Sequence, residues 1–308
     1  MDLGLRKLRI LREVARRGGV TAAAEAMHYS PSGVSQQLAS LEKEVGAPLF
    51  ERLGRGMRLT EVGEVLLRHA DLLLTAEQAA VAEVEHTRGT LSGTLEVGVF
   101  ATVAAGLVPP LVADLASRAP ELRLRTREVD PEDAVAELHH GHLDLAFLLD
   151  YPGAREPWPA TLTTHRLGAD PMRLAAPAGW VTRRGPVPLA SLAGLPWVVS
   201  GAHTYYGRAI RTACRAAGFE LDVTHEVDEQ ATALAMVGAG LGVTLVSDLA
   251  RHVGHVGGVD VHRLVEPVVR QVLVAHDAAT AARPTVQAFL ASVRRAARTA
   301  GLTTRASA

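Results

Sequence analysis

Five short polar side chains, Ser30, Ser32, Ser35, Gln36 and Gln37, fall in a stretch of eight residues that opens on Ser30-Pro31. Hydroxyls and amides both donate and accept hydrogen bonds; a Gln amide suits adenine edges in the major groove, and Ser suits bases or phosphates. Further on, Arg52, Arg55 and Arg58 surround two glycines in LFERLGRGMRLT. Positive charge on a loop that can approach closely is the chemistry of phosphate contact. Either set alone reads as an ordinary solvated surface, and together they predict one that meets a duplex.

The elements that must carry these groups follow from apolar spacing. Leu5, Leu8, Ile10 or Leu11, Val14 and Ala15 recur at helical intervals and stop at Gly18-Gly19. Thr21 is placed to cap a second helix rich in small residues, Ala22, Ala23, Ala24 and Ala26, closed by Met27 and Tyr29. Ser30 as N-cap with Pro31 at the first helical position starts a third helix, whose Val34, Leu38, Leu41 and Val45 form one face. Helix, turn and helix are followed by a glycine-bearing hairpin. Thr60 then caps a long helix that runs to Arg88-Gly89, about 29 residues or roughly 43 Å. Val62, Leu66, Leu73, Ala80 and Val84 make a near-heptad stripe on it, the signature of a dimerising connector.

Beyond Leu91 the pattern alternates. Strands at 94–100, 122–129 and 143–149 enclose helices near 109–119 and 131–138, which predicts a parallel sheet with helices on its faces. Two short strands are expected within 162–177. A second β/α series follows: strands at 195–200, 222–227 and 242–246, with helices at 206–217 and 229–237. The strand 268–276 and helix 284–300 return to the first lobe. In such folds ligands sit beyond the carboxyl ends of the strands.

Composition narrows the function. The 308 residues are 48% hydrophobic, enough for more than one core. Formal charge is −1, yet residues 1–60 hold ten Lys or Arg against six Asp or Glu. No run is long and apolar enough to span a membrane and no secretory signal is visible, so the expectation is a cytoplasmic protein with no membrane partner. Cys214 is the single cysteine and reads as a small buried residue. His139, His140 and His142, with His252 and His255, are read as solvated side chains and not as metal ligands. No G-x-S-x-G, HExxH or nucleotide-binding glycine motif is present, so neither an enzyme nor a resident cofactor or metal is expected.

The stretch LRILREVARRGGVTAAAEAMHYSPSGVSQQLASLEKEVGAPLFERLGRGMRLTEVGEVLLRHA closely resembles the N-terminal module of LysR-type transcriptional regulators, and VPPLVADLASRAPELRLR, ELHHGHLDLAF and LAMVGAGLGVTLVSDLA resemble that family's effector-binding domain. The resemblance implies a multidomain chain: an all-α winged helix-turn-helix over residues 1–59, a linker helix over 60–89, an α/β two-lobed domain of the type 2 periplasmic-binding-protein kind over 90–302, and a flexible tail at 303–308. Lobe I takes about 90–162 and 268–302, and lobe II 163–267. It further implies a homodimer assembling to a homotetramer, double-stranded promoter DNA and a small-molecule effector as partners, and RNA polymerase as a further protein contact. By position, Pro31, Ser32, Ser35 and Gln36 become the DNA-reading set. Where many relatives place Arg in this helix the chain has Gln36, which removes a guanine-directed bidentate donor. Effector contacts fall on Ala101 and Thr102 just after the first strand, with Ser200, His203 and Thr204 opening the second lobe, and Asp150 after the third strand. Two alternatives stay open: a DNA-binding regulator that needs no effector, and a ligand-binding module acting mainly through protein partners.

Overall fold

The computed structural model describes residues 3–27, 29–53, 56–87, 91–152, 158–250 and 256–302. The chain divides into two compact units, Met1–Val84 and Glu85–Ala308.

The first unit is built on α1 (Leu5–Arg17), α2 (Val20–Met27) and α3 (Pro31–Val45), a hairpin of β1 (Phe50–Leu53) and β2 (Gly56–Leu59), and α4 (Glu61–Thr87). Leu8, Leu11, Val14, Ala23, Ala24, Val34, Leu38 and Leu41 bury one face of each of the first three helices in a common core. Local chemistry sets the boundaries. Ser30 is extended and its hydroxyl accepts from the Gly33 amide at 3.1 Å, while Gly18 and Gly46 end α1 and α3 in the left-handed conformation. Thr60 behaves as expected: its hydroxyl accepts from the Gly63 amide at 3.1 Å and donates to the Pro48 carbonyl at 2.8 Å. Thr21 does not cap α2. The Ala23 amide donates to Gly19 O at 3.2 Å, so the helix begins two residues earlier than a Thr21 cap would set and Thr21 lies in its first turn.

The face of α4 that enters the core is Leu66, Ala70 and Leu74. Val62, Val65, Leu72, Leu73, Val81 and Val84 are exposed. Leu66 therefore separates from the near-heptad stripe that spacing assigns to it. An α-helix repeats at 3.6 residues, so a strict heptad drifts around its surface.

Asp71, also on α4, is buried, and burial raises its carboxyl to about 7 against the opposing pull of Arg12. The native state therefore holds this proton more tightly than the unfolded chain, where an aspartate titrates near ~3.9. The sign follows: stability is greatest below the unfolded value and is lost as pH rises toward 7. Asp71→Asn cannot ionise. In a thermal melt it is expected to exceed the parent at about pH 8 and to match it near about pH 4; equal melting at both would contradict the burial argument.

The second unit holds β3 (Gly93–Val99), α5 (Ala101–Gly106), α6 (Val108–Arg118), β4 (Leu122–Glu128), α7 (Pro131–His139), β5 (Leu145–Asp150), β6 (Leu162–Pro177), β7 (Pro196–Val199), α8 (Tyr205–Ala216), β8 (Asp222–Glu226), α9 (Gln230–Gly238), β9 (Thr244–Ser247), β10 (Val259–His262), β11 (Val269–Asp277) and α10 (Pro284–Thr299). The main sheet runs β10-β6-β11-β5-β3-β4, with β9 on β6, and β7 pairs β8 in parallel. β3, β4 and β5 are mutually parallel, as the alternation requires, whereas β11 lies antiparallel to both β5 and β6.

One core gathers β3, β5, α6 and α10 around Phe147 and Phe289, and another gathers β7, β9 and α8 around Trp197. The two short strands expected within 162–177 are one strand of 16 residues. Its partner changes at Pro171: up to that residue β6 pairs β11, and from Met172 it pairs β9. Proline cannot donate to a ladder, so it falls where the ladder changes hands. β10, which no apolar run announces, completes the sheet beside β6.

Candidate functional site

On the first unit, the start of α3 presents Ser30, Pro31, Ser32, Ser35 and Gln36 to solvent, with Gln37 half-buried. Ser30 and Ser32 hydroxyls lie 3.2 Å apart. Val34, Leu38 and Leu41 face the core on the opposite side, so burial fixes which side the polar groups occupy. The hairpin register places Arg58 opposite Glu51, and the Arg58 Nε donates to Glu51 Oε1 at 2.9 Å with both side chains exposed. Arg55 lies outside the described residues, and Arg52 is described only as backbone in β1.

On the second unit, a cavity of about 280 Å³ opens where the loop after β3 and the starts of α5, α7, α8 and α9 converge. Its walls include Ala101, Thr102, Ser200, His203 and Thr204, all expected, together with Gln230 and Arg270, which were not. Asp150 is not among the residues that line it. Leu145, Phe147 and Leu149 pack in one core, and Ala146 and Leu148 pack in another with α7. Side chains alternate along a strand, so Asp150 shares the face of Ala146 and Leu148, while its neighbour Leu149 lines the cavity.

The floor is a closed polar network. Arg270, on β11, is 2% exposed. Its Nε donates to Asp170 Oδ2 at 2.9 Å, and its Nη2 donates to the Thr102 and Ser247 hydroxyls at 2.7 Å each. Asp170 Oδ1 also accepts from the Leu249 amide at 3.2 Å, and Gln230 Oε1 accepts from the Ser247 amide at 3.1 Å. Burial works to lower the Arg270 pKa, but the adjoining Asp170 and Tyr151 outweigh it and the group is held above its ordinary value. The guanidinium sits 5.5 Å from the Phe100 ring centroid. Thr102 is thus held as an acceptor by Arg270, leaving its proton to point elsewhere.

The walls differ from the floor. Thr204 caps α8, its hydroxyl accepting from the Gly207 amide at 2.9 Å. Glu132 in the first turn of α7 accepts from the Tyr205 amide at the start of α8, and Trp158 meets the Tyr205 ring edge-on at 5.9 Å. Gly207 is required here, because a Cβ would stand 2.0 Å from Gly201 O. Tyr206 donates to the Leu245 carbonyl, and burial pushes its phenol up to about 12. Among the described residues no His, Cys, Asp or Glu group converges with the spacing of a metal site. His142 instead faces Glu137 at 3.2 Å, and His252 and His255 lie outside the described residues.

The two halves of the chain match two models of one family. The bacterial regulatory helix-turn-helix protein, lysR family, covers residues 5–64, and the LysR substrate binding domain covers residues 88–298. The chain belongs to the LysR family of transcriptional regulators. It is 30% identical to a probable HTH-type transcriptional regulator, LrrA, of Synechococcus elongatus, over 96% of this chain and 98% of that protein. A probable hydrogen peroxide-inducible genes activator of Mycobacterium avium is 32% identical over 79% of this chain and 77% of its own. Among solved structures, full-length OxyR of Pseudomonas aeruginosa superposes with a TM-score of 0.76 at 24% identity, covering 100% of this chain and 99% of that one. CbnR complexed with its target DNA gives 0.67 at 21% identity, covering 96% and 100%. A LysR-type regulator is a DNA-binding protein with a separate effector-binding domain, and both parts are present here. No described helix is long and apolar enough to cross a membrane.

Proposed function

We propose that this chain is a cytoplasmic, sequence-specific regulator that binds promoter DNA as a homo-oligomer and changes its action when a small molecule enters the cleft of the second unit. The observation that carries the effector reading is the cavity itself, whose floor is a prearranged Arg270-Asp170-Thr102 network and whose walls come from the starts of α5, α7, α8 and α9. A ligand touching several of these helices favours the closed arrangement by its differential affinity for it, which is all that a switch requires. The peroxide response named for the mycobacterial relative does not carry over. Cys214 is the only cysteine, it is buried, and burial pushes its thiol up to about 12, so it supplies no reactive thiolate.

For DNA, the reading assigns Ser32, Ser35 and Gln36 to base edges or nearby phosphates and the β1-β2 hairpin to the sugar-phosphate backbone. The test is a mobility shift on the upstream region of the chain's own gene across a salt series. Arg52→Ala with Arg58→Ala is expected to weaken all duplexes alike and to reduce the salt slope by about one for each phosphate that is no longer neutralised. Gln36→Ala is expected to alter base preference at one position by about 1–3 kcal/mol with the slope unchanged. The reverse pattern would exchange the two roles.

A further inference from the structure

The charges around the cleft are not those of an anion receptor. Arg270, the one guanidinium in its lining among the described residues, is already neutralised by Asp170 at 2.7 Å, with both side chains almost wholly buried. Arg211, near the same loop, is held by the Ser200 and Gly207 carbonyls at 2.8 and 3.0 Å and lies 3.8 Å from Glu226. The rim carries Asp130, Glu132 and Asp133 from the start of α7 and Asp228 and Glu229 from the start of α9.

Glu132 accepts from the Tyr205 amide and Asp228 Oδ1 from the Gly201 amide at 3.4 Å, but the two cap residues are not consumed by their helices. Asp130 and Glu229 occupy N-cap positions, yet neither side chain makes a capping hydrogen bond. Both line the cavity; burial raises the Glu229 carboxyl first, and the nearby charges of Glu128, Asp130 and Asp228 raise it further. An independent feature lies deeper. Ser200 is 1% exposed and lines the cavity, and its hydroxyl has no hydrogen-bond partner among the described residues. A buried hydroxyl left unpaired costs free energy that a ligand polar atom recovers.

We propose that the cleft takes a small cationic ligand, an amine or guanidine, whose charged end lies between the carboxylates of α7 and α9 and whose polar or second charged end reaches the Ser200 and Thr102 hydroxyls. This rests on the cleft being the effector site. The volume of about 280 Å³ limits the ligand to a small metabolite, at the low end of ligand pockets. Like charges at the starts of α7 and α9 resist closure, and a cation between them removes that resistance, so the same charge that gives selectivity also drives the switch.

The experiment is a thermal-shift and calorimetric titration of the full chain with cadaverine, pentanediol and glutarate, three probes of matched length and opposite or absent charge, with agmatine as a guanidine. Cadaverine or agmatine is expected to raise the melting temperature and glutarate to leave it unchanged. The effect should shrink as salt rises, and Asp130→Asn with Glu229→Gln should weaken binding by roughly tenfold. Ser200→Ala should weaken it too. If glutarate binds better than the amines, and Ser200→Ala weakens that binding, the effector cleft stands and the cationic class falls. If an amine binds the rim variant and Ser200→Ala as tightly as the parent, it binds outside the cleft and the proposal fails. It fails equally if no amine shifts the melt at millimolar concentration.

Discussion

Asp170→Ala is expected to destabilise the second unit by about 3–5 kcal/mol, the usual cost of stranding one member of a buried ion pair. Arg270 would keep its charge in a site that is 2% exposed, with neutral hydroxyls such as those of Thr102 and Ser247 as acceptors, and the Leu249 amide would lose its acceptor as well. Arg270→Ala strands Asp170 in the same way and also frees Thr102. The pair Asp170→Leu with Arg270→Met is expected to recover much of the loss, because well-packed apolar residues replace a buried pair at little cost. A thermal melt read by a probe in the second unit measures this, since two units need not unfold together. Recovery of stability without recovery of ligand binding would separate what the network does for the fold from what it does for the cleft. Equal stability of parent and Asp170→Ala would overturn the account of the floor.

Arg270 also shows where sequence reading stops. It sits in VVRQVLVAH, which declares a strand by its β-branched residues but not which strand lies beside it. Its partner is 100 residues away, in a segment where Gly168 and Pro171 suggest breaks and a single strand exists. The clue that was available is chemical: a charge inside an apolar run is buried only with a partner, and Asp170 stands in a run of the same kind.

Ser30-Pro31 and Thr60 were legible for the opposite reason. A cap satisfies amides two or three residues away, so its signal and its effect share the same few residues. Thr102, Ser200 and Thr204 stood close to the predicted cleft because they follow strand ends or open helices, where such folds place their ligands. Asp150 ends β5 without lining the cavity, whereas Leu149, one residue earlier, lines it. That β5 is a strand was readable, and its faces were not, since an all-buried strand has no polar side to mark.

Replacing Leu72 and Leu73 together by Glu is expected to separate the oligomer and to lower affinity for a two-half-site operator by about 10²–10⁴-fold, the advantage that linking two binding modules confers. Leu72 is 63% exposed and Leu73 45%, and Val62, Val65 and Val84 on the same helix are exposed as well. Leu72 and Leu73 are not among the α4 residues buried in the core, Leu66, Ala70 and Leu74, so the substitutions leave those core side chains in place. Exposed positions of this kind change monomer stability by only about 0.5 kcal/mol. Exposed apolar residues along a helix whose core-facing residues already have their partner are best explained by a second copy of the same helix. Light scattering measures the mass and a mobility shift measures the affinity. A variant that keeps the parent's mass and operator affinity would remove α4 from the interface, whereas one that becomes smaller yet binds a single half-site as the parent does would show that the reader on α3 is intact and that pairing supplies the rest.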